Sequence, residues 1–208
     1  MRQKGQTPPE VRAVERLHSV CVFCNGRDEA FDLLRSFIGE GLRNGDKAFH
    51  IIDEKHRLDH LRGLEKFEMD LAAAQGSGQL EVRSWQDTFL RLGFFNQYAM
   101  LDMLEEVLAE AKHRGFAFTR FLVDMGWALE DRPGVTDMVE FCARLNEVVP
   151  RYEASVACIY DVARFSASSI VDVLRAYPVA AVGGLVHENP FHVPAHELLQ
   201  ELRTRRRS

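Results

Sequence analysis

The feature that most constrains the fold of this chain is a regular alternation of short apolar runs with amphipathic helical stretches. The apolar runs at 19–24, 48–52, 80–84, 116–124, 154–160 and 179–186 are typical of buried strands. Helical periodicity and end signals predict helices over 28–43, 55–74, 96–114, 136–149, 166–176 and from about residue 194 onward. This alternation predicts an α/β fold with a mostly parallel sheet and helices on both faces.

Size and composition favour one domain. The chain has 208 residues, 46% of them hydrophobic, and a net charge of −5. We expect a disordered lead at 1–12, a single domain over 13–203 and a basic tail at 204–208. The acidic balance argues against direct nucleic-acid binding. No signal peptide or bilayer-length apolar run is visible, and the four cysteines lie in apolar segments, so we predict a cytoplasmic protein without membrane contact.

The first strand-to-helix junction reads Asn25-Gly-Arg-Asp-Glu29. In nucleotide-hydrolysing α/β proteins, this position carries a glycine-rich loop ending in Gly-Lys-Ser/Thr, which holds phosphates and magnesium. Here a single glycine is followed by an arginine and two carboxylates, and the carboxylates would repel a polyphosphate. The junction therefore argues against an ATPase and favours a binding or sensing module.

Candidate ligand contacts follow the strands, because ligands of open parallel sheets bind outside the carboxyl ends of the strands. Asp124 and Trp127 follow the fourth run, and Tyr160 and Asp161 close the fifth. Asp124 is interpreted either as a loop-capping carboxylate or as a counterpart of a magnesium-binding aspartate. Trp127 is interpreted either as a core aromatic or as the wall of a small-molecule pocket.

Cysteine spacing raises the question of a metal site on the first strand. His18, Cys21 and Cys24 are three residues apart, and residues three apart on a strand point to opposite faces of the sheet. We therefore predict no metal site and buried structural thiols. Cys24, at the end of the strand, is kept as a candidate ligand contact or redox-active thiol.

The fourth run contains one charged residue in an apolar context, Arg120, which needs a partner if it is buried. Glu140, in the following helix, is the predicted partner in a structural ion pair. The chain contains neither a Gly-x-Ser-x-Gly elbow nor a His-Glu-x-x-His helix. We predict no catalytic residues and favour a non-enzymatic role.

A set of short motifs occurs in a fixed order from about His18 to Pro194. The segments are His18-x-x-Cys21-x-Phe23, Phe37-Ile-x-Glu-Gly-Leu42, Gly45-Asp46, Gly78-Gln79-Leu80, Gly115-Phe116, Arg120-x-x-x-Asp124-Met-x-Trp127, Glu140-x-x-x-x-Leu145-Asn146, Cys158-x-Tyr160-Asp161 and Asn189-Pro-Phe191. In these segments the chain resembles the MEDS domain, the methanogen and methylotroph sensory domain. The resemblance implies a RecA/KaiC-like fold that lacks a working phosphate loop and senses a small ligand. The chain departs from the family pattern at Cys24, often tyrosine, and at Tyr177, often histidine.

Together these observations predict a stand-alone sensory domain that binds a small, weakly charged or apolar ligand at the carboxyl edge of the sheet and needs no cofactor. The residues predicted to line or shape the site are His18, Cys24, Asp124, Trp127, Tyr160 and Asp161. The signal would leave through a partner protein. Two alternatives stay open: a divergent nucleotide-binding protein of the RecA/KaiC type, and a homo-oligomeric interaction module.

Overall fold

The computed structural model describes residues 18–67 and 69–206. Seven strands in these residues form one sheet, in the order β3-β2-β4-β5-β1-β6-β7. The strands are β1 Ser19–Cys24, β2 Lys47–Ile52, β3 Leu80–Ser84, β4 Thr119–Asp124, β5 Ala154–Asp161, β6 Val179–Val182 and β7 Leu185–Glu188. All neighbouring strands are parallel except β6 and β7, which pair antiparallel. The predicted α/β fold with a mostly parallel sheet is confirmed.

The helices cover both faces of the sheet. They are α1 Arg27–Asn44, α2 Arg57–Glu65, α3 Leu71–Gly76, α4 Gln97–His113, α5 Met138–Val148, α6 Ala167–Ala176 and α7 Ala195–Arg205. Helices α1 to α3 pack on one face, which we call the front face, and α4 to α7 pack on the other, the back face. Each helix turns an apolar stripe towards the sheet, as in α1, where Leu34, Ile38 and Leu42 are buried.

Strand alternation decides which side chains reach which face. In β5, Ala157 and Ile159 belong to the front-face core, whereas Cys158 and Tyr160 belong to the back-face core. Successive side chains of a strand point to opposite faces, so Asp161 shares the front face with Ile159. Tyr160 and Asp161 are therefore neighbours in sequence but lie on opposite sides of the sheet.

Two predicted elements are divided in the structure. The predicted strand over 179–186 is a hairpin, because Gly183 and Gly184 turn the chain back with φ values of 57° and 83°. Positive φ at both central residues is the requirement of the type I′ turn, one of the common two-residue hairpin turns. The predicted helical region over 55–74 consists of the separate helices α2 and α3.

The predicted basic tail needs a correction. Helix α7 continues through Arg205, and Arg205 forms an ion pair with Asp172 at 3.1 Å. Arg206 contacts Asp137 at 2.6 Å and Glu140 at 3.4 Å. Residues 204–206 are exposed, but the helix and these ion pairs hold Arg205 and Arg206 against the domain, so these two residues are not a free tail. The predicted lead at 1–12 and the last two residues lie outside the described residues.

The predicted ion pair between Arg120 and Glu140 is wrong. Arg120 points to the front face, where its Nε donates to Asp46 Oδ2 at 2.8 Å and its Nη1 donates to the Phe37 carbonyl at 3.2 Å. Glu140 lies on the back face in α5 and accepts from Gln97 at 2.9 Å. The sheet separates the two residues, because a strand residue reaches one face only.

Candidate functional site

A cavity of about 540 Å³ opens on the front face at the carboxyl edge of the sheet, between α1, α2 and the ends of β1, β4 and β5. Its floor consists of the strand residues Ile52, Leu122 and Ile159, and α1 contributes Leu34 and Ile38 to its wall. Small-molecule sites usually have volumes of about 300–1,000 Å³, and this cavity falls within that range. We refer to this space as the front cavity.

Cys24 lines the front cavity at the end of β1, beside Asp161 in the neighbouring strand. Its thiol donates a long hydrogen bond of 3.7 Å to the Tyr160 carbonyl. Burial, with a smaller contribution from the carboxylates of Asp161, Glu29 and Asp124, raises the pKa of Cys24 to about 12. Since the thiolate is the reactive form, this environment favours a ligand-contacting thiol over a redox-active one.

Two histidines form a buried pair between α2 and β2. His60 lines the front cavity, and its Nε2 lies 2.8 Å from Nδ1 of His50 on β2. Burial lowers the pKa of His60 to about 4, with a contribution from the positive charge of Arg27. Burial and the neighbouring His60 lower the pKa of His50 well below its usual value. Both rings are therefore neutral at physiological pH, and one donates its ring proton to the other.

The histidine pair predicts a pH-dependent stability. The folded pKa values are lowered, so below pH 6.5 the unfolded chain binds protons that the folded chain does not. The free energy of unfolding should fall by about 2 kcal/mol between pH 7 and pH 5 for His60 alone, and His50 should add to this loss. Urea unfolding at both pH values measures this loss. The double variant His50→Leu/His60→Leu lacks both rings, so its loss of stability between pH 7 and pH 5 should be smaller than that of the wild-type protein. An equal loss in the two proteins would contradict the inference that both histidines are neutral in the folded chain.

Asp124 is a loop-capping carboxylate, which is the first of the two interpretations that the sequence left open. Its Oδ1 accepts the Gly126 N–H at 2.8 Å and so holds the short 3₁₀ turn Met125–Leu129 that follows β4. The same half-buried carboxylate lines the front cavity. Burial raises the pKa of Asp124 above its usual value, while the Gly126 N–H, Arg27 and Arg164 act in the opposite direction.

Charged side chains surround the mouth of the front cavity in balanced numbers. The acidic lining residues are Asp28, Asp32, Asp59, Asp124 and Asp161, and the basic ones are Arg27, Arg35, Arg62, Lys66 and Arg164. On the exposed rim, Asp32 pairs with Arg35 at 2.7 Å and Asp59 with Arg62 at 3.4 Å. This balance produces no strong field of either sign, and it does not provide the concentrated positive charge that a polyphosphate needs.

Three of the predicted site residues line the front cavity: Cys24, Asp124 and Asp161. Trp127 does not, because it is fully buried on the back face, stacked on Phe89 with ring centroids 4.5 Å apart. These contacts give it the role of a core aromatic.

Tyr160 and His18 also lie away from the front cavity. The Tyr160 hydroxyl is buried on the back face, 3.3 Å from both Cys142 Sγ and the Tyr177 hydroxyl. His18 lies at the amino end of β1, with Nδ1 3.4 Å from the Ala154 carbonyl, and thus at the opposite edge of the sheet from Cys24. Strand alternation and strand direction separate these residues from the front cavity.

The helical wall of the front cavity was not identified from the sequence. Phe31 on α1 lies between the two helices: its ring is 6.3 Å from that of His60 and 5.9 Å from that of Phe67. Gly63 on α2 makes room for the Phe31 ring, which a Cβ at that position would approach to 2.7 Å. The helical stripe of α1 pointed to the front-face core, but no local signal placed α2 across from it.

Other kinds of site receive no support from the geometry of the described residues. Over residues 18–67 and 69–206, no group of three or more His, Cys, Asp or Glu side chains is arranged to hold a metal ion. In the same part of the chain, every helix is too short or too polar to cross a bilayer.

Comparisons with known proteins agree with this architecture. The family model of the MEDS domain, described as the methanogen/methylotroph DcmR sensory domain, matches residues 19–178. The transcriptional repressor DcmR of Methylorubrum extorquens is 29% identical over 139 residues, which are 66% of this chain and 49% of the repressor. The chain thus matches about half the length of that relative.

A solved structure supports the fold. The crystal structure of a KaiC-like protein from the archaeon Pyrococcus horikoshii OT3 matches with a TM-score of 0.54 and 13% identity, over 79% of this chain and 69% of that chain. An identity this low is informative about the fold alone. The predicted RecA/KaiC-like architecture is confirmed.

Proposed function

Because this chain belongs to the MEDS family of sensory domains, we propose that it senses a small molecule bound in the front cavity. The observation that carries the proposal is the front cavity itself, about 540 Å³ in volume, with an apolar floor at the carboxyl edge of the sheet. Open α/β sheets bind their ligands at this edge.

The lining residues supply both affinity and orientation. An apolar ligand body would rest on Leu122 and Ile159 and be enclosed by Phe31 and Leu34. Covering about 150 Å² of apolar surface contributes roughly 4 kcal/mol before the cost of immobilising the ligand. Polar groups such as Asp124 would then fix the orientation of the ligand.

The output of the sensor would be a change in a partner protein in the cytoplasm. The support for a regulatory role is the relative DcmR, which is named a transcriptional repressor. The alternative of nucleotide binding lacks support at the β1–α1 junction, where Arg27, Asp28 and Glu29 stand in place of the lysine and hydroxyl of a phosphate loop. We therefore favour sensing without nucleotide hydrolysis.

The experiment is a fluorescence titration with Prodan, a neutral dye whose emission shifts to the blue in apolar surroundings. The wild-type protein should bind Prodan saturably. The variant Ile159→Trp places an indole on the floor of the front cavity and should weaken binding at least tenfold. Val171→Trp adds the same side chain at an exposed position on α6, so binding should stay within twofold of wild type.

Circular dichroism and thermal melting check that both tryptophan variants are folded. The proposal fails if the wild-type protein does not bind Prodan. It also fails if Ile159→Trp, when folded, binds the dye as tightly as Val171→Trp does.

A further inference from the structure

We propose that the ligand of the front cavity has an uncharged polar end that both donates and accepts hydrogen bonds, held between Asp124 and Arg27, and an apolar body that extends towards Leu34 and Ile38. A primary carboxamide is the simplest group of this kind. The inference rests on the proposed function, because it concerns the chemistry of the ligand in the same site.

Asp124 provides the acceptor. Its Oδ1 is engaged by the Gly126 N–H at 2.8 Å, whereas its Oδ2 makes no hydrogen bond within the described residues. The carboxylate is half-buried, so bulk water only partly satisfies this oxygen. A ligand N–H or O–H at the mouth would therefore find an oriented acceptor, and hydrogen bonds to a charged acceptor are the stronger kind.

Arg27 provides the donors. It is the first residue of α1 and lies at the mouth of the front cavity. Its guanidinium has five N–H donors, but in the described part of the chain it makes one long hydrogen bond, 3.4 Å to the His56 carbonyl, and no ion pair within 4 Å. Partial burial lowers the pKa of Arg27, and the Asp124 carboxylate is the first of the charges that oppose this effect. The two groups thus influence each other across the mouth without direct contact.

This pair of opposite charges selects against a charged ligand end. An anion attracted by Arg27 would face the Asp124 carboxylate, and a cation attracted by Asp124 would face the Arg27 guanidinium. Deeper in the front cavity, Cys24 and His60 are neutral, so a charge placed there would lack a partner. A neutral group that both donates and accepts hydrogen bonds can bind to the Asp124 carboxylate and to the Arg27 guanidinium at the same time.

The test uses three probes with the same six-carbon chain: hexanamide, hexanoate and hexylammonium. Ligand-observed NMR titration at pH 7 measures their dissociation constants. In the wild-type protein, hexanamide should bind at least tenfold more tightly than either ion. Asp124→Asn should make hexanoate the tightest of the three, and Arg27→Gln should make hexylammonium the tightest.

Both variants are designed to keep the fold. The Asn side-chain oxygen can still accept the Gly126 N–H, and Arg27 is exposed. Circular dichroism and thermal melting show whether each variant keeps the fold of the wild-type protein. If Prodan binds but the three probes bind equally, fail to bind, or keep their order in both variants, the inference is overturned and the proposed function stands. If Prodan fails to bind to the wild-type protein, the proposed function itself fails.

Discussion

Replacing Asp46 with alanine is expected to reduce the free energy of unfolding by about 3–5 kcal/mol, because the change leaves a buried guanidinium without its counter-charge. The Arg120 side chain is 7% exposed and its Nε donates to Asp46 Oδ2 at 2.8 Å. The planes of Phe37 and Phe118 flank the guanidinium, and a Cβ at Gly41 would approach its side chain to 2.5 Å. This close packing prevents Arg120 from turning out to water.

Urea unfolding at pH 7 measures the effect. The matched control is the double variant Asp46→Ala/Arg120→Met, in which the unpaired charge is removed together with its partner. We expect it to regain most of the lost stability, because an apolar side chain of similar length can replace a buried ion pair at little cost. A loss of less than 1 kcal/mol in Asp46→Ala would show that Arg120 finds another partner or reaches water.

The second large effect concerns Trp127. Truncation to alanine should cost about 3–5 kcal/mol of stability, because it opens a void between aromatic rings of the back-face core. The indole lies 4.5 Å from the Phe89 ring, 4.3 Å from the Phe95 ring and 6.4 Å from the Phe141 ring, centroid to centroid. The same variant, where folded, should bind Prodan within twofold of wild type, since Trp127 is separated from the front cavity by the sheet.

Trp127→Phe serves as the control for a variant that fails to fold. It preserves most of the packing volume and should remain folded, with Prodan binding unchanged. A change of more than fivefold in the dissociation constant for Prodan in either folded variant would contradict the assignment of Trp127 to the core and favour the alternative that it forms a pocket wall.

The succession of strands and helices along the chain was predictable because it depends on local patterns. The apolar runs 19–24 and 80–84 predicted the observed bounds of β1 and β3. The Asn96 cap of α4 is also present, with its side chain accepting from the N–H groups of Tyr98 and Ala99. Gly183 and Gly184 carried a hairpin signal that the continuous apolar run 179–186 concealed.

The site was only partly predictable, and strand alternation explains which part. Cys24, Asp124 and Asp161 are each the last residue of a strand. Each of them follows a front-face residue by two positions, namely Val22, Leu122 and Ile159, and residues two apart in a strand point to the same face. The same count assigns Tyr160 to the back face.

Contacts between elements distant in sequence were not encoded in any local pattern. The pairing of Arg120 with Asp46 depends on the position of β2 beside β4, across 74 residues of sequence. The contribution of His60 depends on the position of α2 over β2. Such contacts follow from tertiary packing, which a single sequence does not reveal.

We propose the front cavity as the ligand site, and a crystal structure of the protein soaked with Prodan gives the sharpest test of this claim. We expect density for the dye between α1 and α2, resting on Leu122 and Ile159, with its carbonyl group directed towards the mouth. Density for the dye at another surface, with the front cavity filled by its own side chains, would contradict the claim.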